Sequence, residues 1–84
     1  MNTVPGILKR TSIMKISELR RYLQENNFPS DSYSLEGGLP SEALCIERTK
    51  NSWRVYYSER GKRNVFGLFA NEEDAVKCFL FHLK

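Results

Sequence analysis

The sequence predicts a small α+β domain with element order α-β-β-β-α, in which a three-stranded antiparallel meander carries both helices on one face. Three observations predict it: helical periodicity from residue 16, alternating apolar residues between residues 43 and 70, and a second apolar helical stripe near the end. The chain has 84 residues, of which 40% are hydrophobic and 12% aromatic, as is typical of a folded domain. We expect one α+β domain over residues 14–84, preceded by a loosely ordered extension over residues 1–13.

The first helix is predicted to begin at Ile16 and to end before residues 26–29, where two asparagines and a proline favour termination. Ser17 is a suitable cap, since its hydroxyl can accept a hydrogen bond from a backbone N–H of the first turn. Apolar residues recur along one side at helical spacing: Ile16, Leu19, Tyr22 and Leu23. This side of the helix is expected to pack on the sheet.

Residues 29–42 are predicted to form a loop, because they contain two prolines, the Gly37-Gly38 pair and many serines and acids. We interpret the glycine pair as a backbone turn. A phosphate-binding loop is not indicated, since no predicted strand precedes the glycines and no Lys-Ser/Thr pair follows them.

The strand that contains the only tryptophan is the centre of the predicted sheet. Its alternating residues divide between two faces, with Trp53, Val55 and Tyr57 toward the core and Arg54, Tyr56 and Ser58 away from it. The preceding strand, ALCIER at residues 43–48, places Leu44 and Ile46 on the core side. Because the helices are expected to cover one face only, Arg54 and Tyr56 are predicted to be exposed to solvent and available to a partner.

Two turns connect the three strands. TKNS at residues 49–52 follows the first strand, and RGKR at residues 60–63, which contains Gly61, follows the second. The third strand is NVFGLFA at residues 64–70. Gly67 inside it predicts a β-bulge or close packing by a neighbouring group.

The last helix has the clearest signals. Asn71 is a suitable cap, and three acids in the first turn complement the helix dipole: Glu72, Glu73 and Asp74. Glu73 is placed to pair with Lys77. A wide apolar stripe follows, made of Ala75, Val76, Phe79, Leu80 and Leu83.

Catalytic, metal and cofactor chemistry finds no support in the sequence. His82 is the only histidine, and no serine or cysteine stands in a nucleophile motif beside a base. Cys45 and Cys78 do not have the spacing of metal ligands, and a metal site needs more histidines and cysteines than the chain contains. Since no export signal or membrane span is apparent, we expect reduced, buried thiols, a cytoplasmic location and a protein that is not an enzyme.

Charge is distributed unevenly around the net value of +3. Residues 27–47 carry four acidic groups and no basic one, whereas residues 48–63 carry six basic groups against Glu59 alone. Such a dipole favours oriented encounter with a charged partner without fixing the sign of that partner. The basic residues are also explained as solvated hairpin tips that block edge-to-edge aggregation. The residues predicted to bind a partner are Asp31, Glu36, Glu42, Arg54, Tyr56, Glu59 and Arg60.

The segment SLEGGLPSEALCIERTKNSWRVYYSERG at residues 34–61, followed by a basic turn and by FANEEDAV at residues 69–76, resembles a family of small bacterial α+β proteins. These are the immunity proteins of polymorphic toxin systems, and the YYSERG run at residues 56–61 carries the match. The resemblance implies a protein that binds a cognate toxin domain, delivered by secretion or contact, and blocks it without chemistry of its own. If the toxin is a nuclease with a basic groove, the acidic loop with Asp31, Glu36 and Glu42 is the expected contact.

A second resemblance covers residues 44–83. The pattern W-x-V-x-Y, a glycine turn and G-x-F-x-x-x-E-x-A is similar to the sheet and helix of plant ethylene-response-type DNA-binding domains and of integrase amino-terminal domains. It implies a sheet face that lies in the DNA major groove, with Arg48, Arg54, Tyr56 and Arg63 as candidate readers. The acidic stretch and the leading helix have no counterpart in those domains. DNA binding is therefore the alternative function.

Overall fold

The computed structural model describes residues 15–83. The elements are α1 (Ile16–Glu25), a 3-10 turn (Ser30–Ser32), β1 (Tyr33–Ser34), β2 (Ala43–Arg48), β3 (Trp53–Glu59), β4 (Lys62–Phe69) and α2 (Glu72–His82). The predicted α+β class is confirmed, and the predicted extension over residues 1–13 lies outside the described residues. Within this range neither helix is long and apolar enough to cross a membrane.

The sheet has four strands in the order β1-β2-β3-β4, not the three that were predicted. Strands β2, β3 and β4 form the expected antiparallel meander. The additional strand, β1, pairs parallel to β2 and places Tyr33 beside Leu44. Because β1 has only two residues inside a loop-like segment, it carries no periodicity that sequence inspection could detect.

The main core lies between the helices and one face of the sheet. Its buried residues are Leu19, Leu23, Leu35, Leu44, Ile46, Val55, Ala75, Val76 and Phe79. Trp53 and Tyr57 are partly buried and pack against this cluster, so the predicted core side of β3 is confirmed. In a domain this small, each of these side chains contributes a large share of the buried apolar area.

The N-terminus of α1 is satisfied by α2 and not by Ser17, the predicted cap. The helix begins two residues earlier than a Ser17 cap would require, with Lys15 at the N-cap position and its N–H donating to Glu18 Oε1 at 2.8 Å. The backbone N–H of Ile16 donates to Glu72 Oε2 at 2.7 Å. A carboxylate from the first turn of α2 therefore also lies at the positive end of α1, where a negative charge is favourable.

The start of α2 has the predicted cap but a different ion pair. The backbone N–H of Asp74 donates to Asn71 Oδ1 at 2.9 Å, as expected. Glu73 lies 3.0 Å from Lys15 Nζ in place of the predicted pair with Lys77. This contact joins the starts of the two helices.

Strand β4 contains the irregularity that Gly67 predicted. Val55 of β3 pairs with Gly67, whereas the next residue of β3 pairs with Val65, so Phe66 is the extra residue of a β-bulge. A Cβ at Gly67 would lie 2.8 Å from the Phe69 ring. Both predicted reasons for this glycine, a bulge and close packing by a neighbour, are therefore confirmed.

Candidate functional site

The sheet face opposite the helices is covered by residues 35–42, which we call the covering loop. Tyr56 is completely buried there, and its hydroxyl donates to the Gly38 carbonyl oxygen at 2.6 Å. The Ser58 hydroxyl donates to the Pro40 carbonyl oxygen at 2.6 Å. The prediction that Tyr56 is exposed to solvent is therefore wrong, because the loop packs its backbone directly over the second face.

A small second core lies beneath the covering loop. It consists of Ala43, Cys45 and Tyr56, all completely buried. The sequence indicates this second core through the four consecutive apolar residues that begin β2, since an uninterrupted apolar run is typical of a strand buried on both faces. Both cysteines are free thiols, and burial raises the pKa of Cys45 and of the half-buried Cys78. Neither thiol is therefore disposed to ionise near neutral pH.

An ionic cluster surrounds the Tyr56 ring. Arg54 donates from Nε to Glu47 Oε2 at 2.7 Å and makes a second bond to the same oxygen from Nη2. Arg63 Nε lies 3.8 Å from that oxygen. The guanidinium carbons of Arg54 and Arg63 lie 5.8 and 5.4 Å from the centroid of the Tyr56 ring. The two arginines are thus held by one carboxylate and one aromatic ring.

This arrangement buries one of the four candidate DNA readers, whereas Arg48 and Arg63 remain exposed and Arg54 partly exposed. Tyr56 is inaccessible, and Arg54 is oriented by Glu47. The Arg48 guanidinium carbon lies 5.6 Å from the Trp53 ring centroid, which packs the side chain along the strand. Arg48 pairs with Trp53, on the helix side of the sheet, so the four candidate readers do not all share one face.

Gly37 permits the close approach of the covering loop. Its φ is 79°, in the left-handed region, and a Cβ there would lie 2.8 Å from Glu47 Cβ. The Ser34 hydroxyl donates to the Gly37 carbonyl oxygen at 2.8 Å and fixes the turn. The predicted role of this glycine as a turn residue is confirmed, and the structure adds a steric role above Glu47.

Two of the three predicted acidic contacts lie together. Asp31 and Glu42 both line an open cleft of about 520 Å³, which we call the acidic cleft; its other lining residues are Ser30, Ser32, Tyr33, Pro40 and Ser41. Both acids are exposed, and among residues 15–83 neither forms an ion pair. Glu36 is separate from the cleft, because it pairs with Arg20 of α1 at 3.3 Å.

Strand register places the remaining predicted residues near the acidic cleft. Ala43 of β2 pairs with Ser58 of the antiparallel β3. Glu42, which precedes Ala43, and Glu59, which follows Ser58, therefore lie at the same end of the sheet. Arg60 lies in the adjoining turn with a φ of 52° and is exposed. Four of the seven predicted partner-binding residues therefore share one end of the molecule: Asp31, Glu42, Glu59 and Arg60.

The outer edge of β4 is a surface that sequence inspection missed. Val65, Phe66 and Leu68 are 50%, 44% and 64% exposed. The Phe66 ring stacks on the His82 ring, with centroids 3.8 Å apart and planes 7° apart. Apolar residues lie on both sides of the strand, and the topology shows that β4 ends the sheet.

Comparison with known proteins assigns the chain to no group: no family model, curated protein or solved structure matches it. The resemblances to immunity proteins and to DNA-binding domains therefore stay predictions. What the chain can bind is decided by the surfaces described above, namely the acidic cleft, the second face and the outer edge of β4.

Proposed function

We propose that this protein is a non-catalytic binding protein of the immunity type, which neutralises a cognate toxin domain in the cytosol by covering its active surface. The observation that carries the proposal is the acidic cleft. Asp31 and Glu42 come from separate parts of the chain and line one open depression. Exposed carboxylates that lack an intramolecular cation keep their charge available for a basic partner.

The cleft has the chemistry to receive a lysine or arginine side chain from that partner. Tyr33 and Pro40 supply apolar surface for the aliphatic part of such a side chain, and the two carboxylates supply the counter-charge. A toxin that cleaves nucleic acid has a basic substrate groove, and an acidic surface covers such a groove well. Glu59 and Arg60, at the same end of the sheet, add one charge of each sign beside the cleft.

Residues that line the cleft are held in place by hydrogen bonds and strand pairing within the free protein. Tyr33 belongs to β1 and pairs beside Leu44. The Pro40 carbonyl oxygen accepts the Ser58 hydroxyl, and the Ser32 hydroxyl donates to the Pro29 carbonyl oxygen at 2.7 Å. A preorganised surface loses little conformational entropy on binding, which favours tight association.

The first test is affinity purification of the tagged chain from its native host, with intact-mass analysis of what co-elutes. The proposal expects a stoichiometric protein partner whose toxicity the chain suppresses. Nucleic acid that dissociates with salt, in the absence of a protein partner, would contradict it and favour the DNA-binding alternative. Loss of that nucleic acid in Arg54→Ala would then locate the contact on the second face.

The second test neutralises the acidic cleft with Asp31→Asn and Glu42→Gln together. We expect an association rate lower by about tenfold at low salt and weaker protection against the toxin, with the fold retained. The matched control is Glu18→Gln with Glu25→Gln, which changes net charge equally on the exposed side of α1. Equal effects of the two double variants would mean that net charge alone matters and that the cleft is not the contact.

A further inference from the structure

Strand β4 has the features of a strand that is completed by another chain. Among residues 15–83 it is hydrogen-bonded on one side only, to β3. Exposed sheet edges are usually protected by charged side chains. Here charge is confined to the first two residues of β4, Lys62 and Arg63; residues 64–69 are uncharged, and Val65, Phe66 and Leu68 expose large apolar side chains. An edge of this composition is expected to pair with a further strand.

We propose that the strand that pairs with β4 is β4 of a second copy of this chain, antiparallel and related by a two-fold axis between Phe66 and Gly67. In this register Val65 of each copy lies opposite Leu68 of the other. The two sheets then form one continuous sheet across the dimer. A two-fold contact of this kind requires a strand whose surface is complementary to itself.

The charges at the two ends of β4 supply that complementarity. Arg60 and Lys62 lie at its start, and Asp74 follows its end in the first turn of α2. The neighbouring charges are already engaged within the chain: Arg63 by Glu47, Glu72 by the Ile16 N–H and Glu73 by Lys15. Antiparallel two-fold pairing places the basic start of one copy beside the acidic end of the other, twice. Parallel pairing would place like charges together. The distribution of charge therefore selects both the occupant and its direction.

The bulge at Phe66 shapes this contact. It turns the Phe66 ring onto His82 of α2, at a centroid distance of 3.8 Å. Val65 and Leu68 pair with Tyr56 and Arg54 of β3, so both lie on the loop-covered face. The two-fold axis thereby brings four aliphatic side chains together on one face of the dimer sheet. The stacked Phe66 and His82 rings flank the strand on the other face.

The test is sedimentation equilibrium of the full chain over a wide concentration range at low salt, which should show a monomer–dimer equilibrium. Leu68→Lys should weaken dimerisation by about tenfold or more, because it places an unpaired charge in the apolar centre of the contact. Leu39→Lys is the matched control, since Leu39 is 48% exposed in the covering loop and should leave dimerisation unchanged. Circular dichroism confirms that both variants fold.

A charge exchange tests the direction of pairing. Lys62→Glu and Asp74→Lys should each weaken the homodimer, and mixing the two variants should restore a heterodimer, since both end contacts then join opposite charges. A monomer at every concentration up to millimolar would overturn the proposal. Equal weakening of the dimer by Leu68→Lys and Leu39→Lys would also overturn it, because the contact would then not involve β4. Slow hydrogen exchange of the outward-facing β4 amides in the monomer would do the same, because the edge would then already be covered. This surface is separate from the acidic cleft, so either proposal can fail without the other.

Discussion

The two faces of the central strands, β2 and β3, are covered by different means. On the helix side, apolar side chains from α1 and α2 meet apolar side chains of β2 and β3. On the loop side, Tyr56 and Ser58 donate to backbone carbonyl oxygens of the covering loop, and Glu47 holds two arginines. The comparison shows that apolar volume closes the first face, whereas paired polar groups and close backbone contact close the second.

This difference sets how each face responds to substitution. Apolar packing is non-directional, so its loss scales with the volume that is removed. A buried polar group must keep its partner, and among the described residues every buried side-chain nitrogen and oxygen has one. Disturbance of the loop side should therefore depend on geometry, at positions where little volume changes.

The largest effect is expected on the helix side, from Phe79→Ala. Phe79 is completely buried in α2, and its removal leaves a cavity between the helix and the sheet. We expect a loss of about 3–5 kcal/mol in the free energy of unfolding. Urea unfolding followed by circular dichroism measures this loss. In so small a domain, a change of this size removes much of the total stability.

Phe81→Ala is the matched control for that measurement. It removes the same side chain from the same helix, at a position that is 71% exposed. We expect a loss of about 1 kcal/mol, from its edge contact with the His82 ring at a centroid distance of 5.1 Å. Similar losses in the two variants would show that burial on the helix side is not what stabilises the fold.

The next effect is expected on the loop side, from Gly37→Ala. The added methyl group would overlap Glu47, and alanine is strained at a φ of 79°. We expect a loss of about 2–4 kcal/mol, from strain and overpacking together. Because the covering loop must move, the buried Cys45 thiol should react faster with a thiol reagent, and Cys78 on α2 serves as the internal reference.

Gly38→Ala separates backbone strain from the steric contact with Glu47. Its φ of 89° imposes the same backbone strain, but a Cβ there would meet only Pro40 Cδ, at 3.9 Å. We expect a loss of about 1–2 kcal/mol and little change in the reactivity of Cys45. If both variants exposed Cys45 equally, the contact with Glu47 would not be what holds the loop on the sheet.

The sequence predicts the helix side well, because that side is built from periodic patterns. The alternation of Trp53, Val55 and Tyr57 and the cap at Asn71 are local signals, and both are confirmed. The predicted start of α1 at Ile16 is confirmed, but the predicted cap, Ser17, is wrong. Glu18 accepts the Lys15 N–H, and Glu72, which lies far away in sequence, accepts the Ile16 N–H. Local capping rules cannot include a carboxylate that another helix supplies.

The loop side and the acidic cleft could be predicted only in part. That Tyr56 is covered depends on where the glycine-rich loop lies, and no local pattern of apolar residues reports this. Asp31 and Glu42 share a cleft because β1 runs parallel to β2 in one particular register. A two-residue strand carries too little sequence information to specify that register. The sequence therefore indicated acidic residues as candidate contacts, and the structure shows that Asp31 and Glu42 line the same cleft.

The smallest effect is expected from Tyr56→Phe, which keeps the ring and removes the hydroxyl that donates to Gly38. The Gly38 carbonyl oxygen then loses this hydrogen bond, and we expect a loss of about 1 kcal/mol near neutral pH. Tyr57→Phe is the matched control, since within residues 15–83 the Tyr57 hydroxyl makes no hydrogen bond. Urea unfolding of both variants at pH 7 gives the comparison.

The same substitution has a pH dependence of known sign. Burial raises the pKa of the Tyr56 phenol above its ordinary value of 10.0. Below pH 10 the phenol is protonated in the folded and unfolded chains alike, and its contribution to stability is complete. As pH rises from 10 toward the folded-state pKa, the unfolded chain ionises first, so this contribution is lost. The stability difference between the wild type and Tyr56→Phe should therefore shrink above pH 10. A difference for Tyr56→Phe that is equal at pH 7 and pH 11 would mean that the covering loop does not bury this hydroxyl.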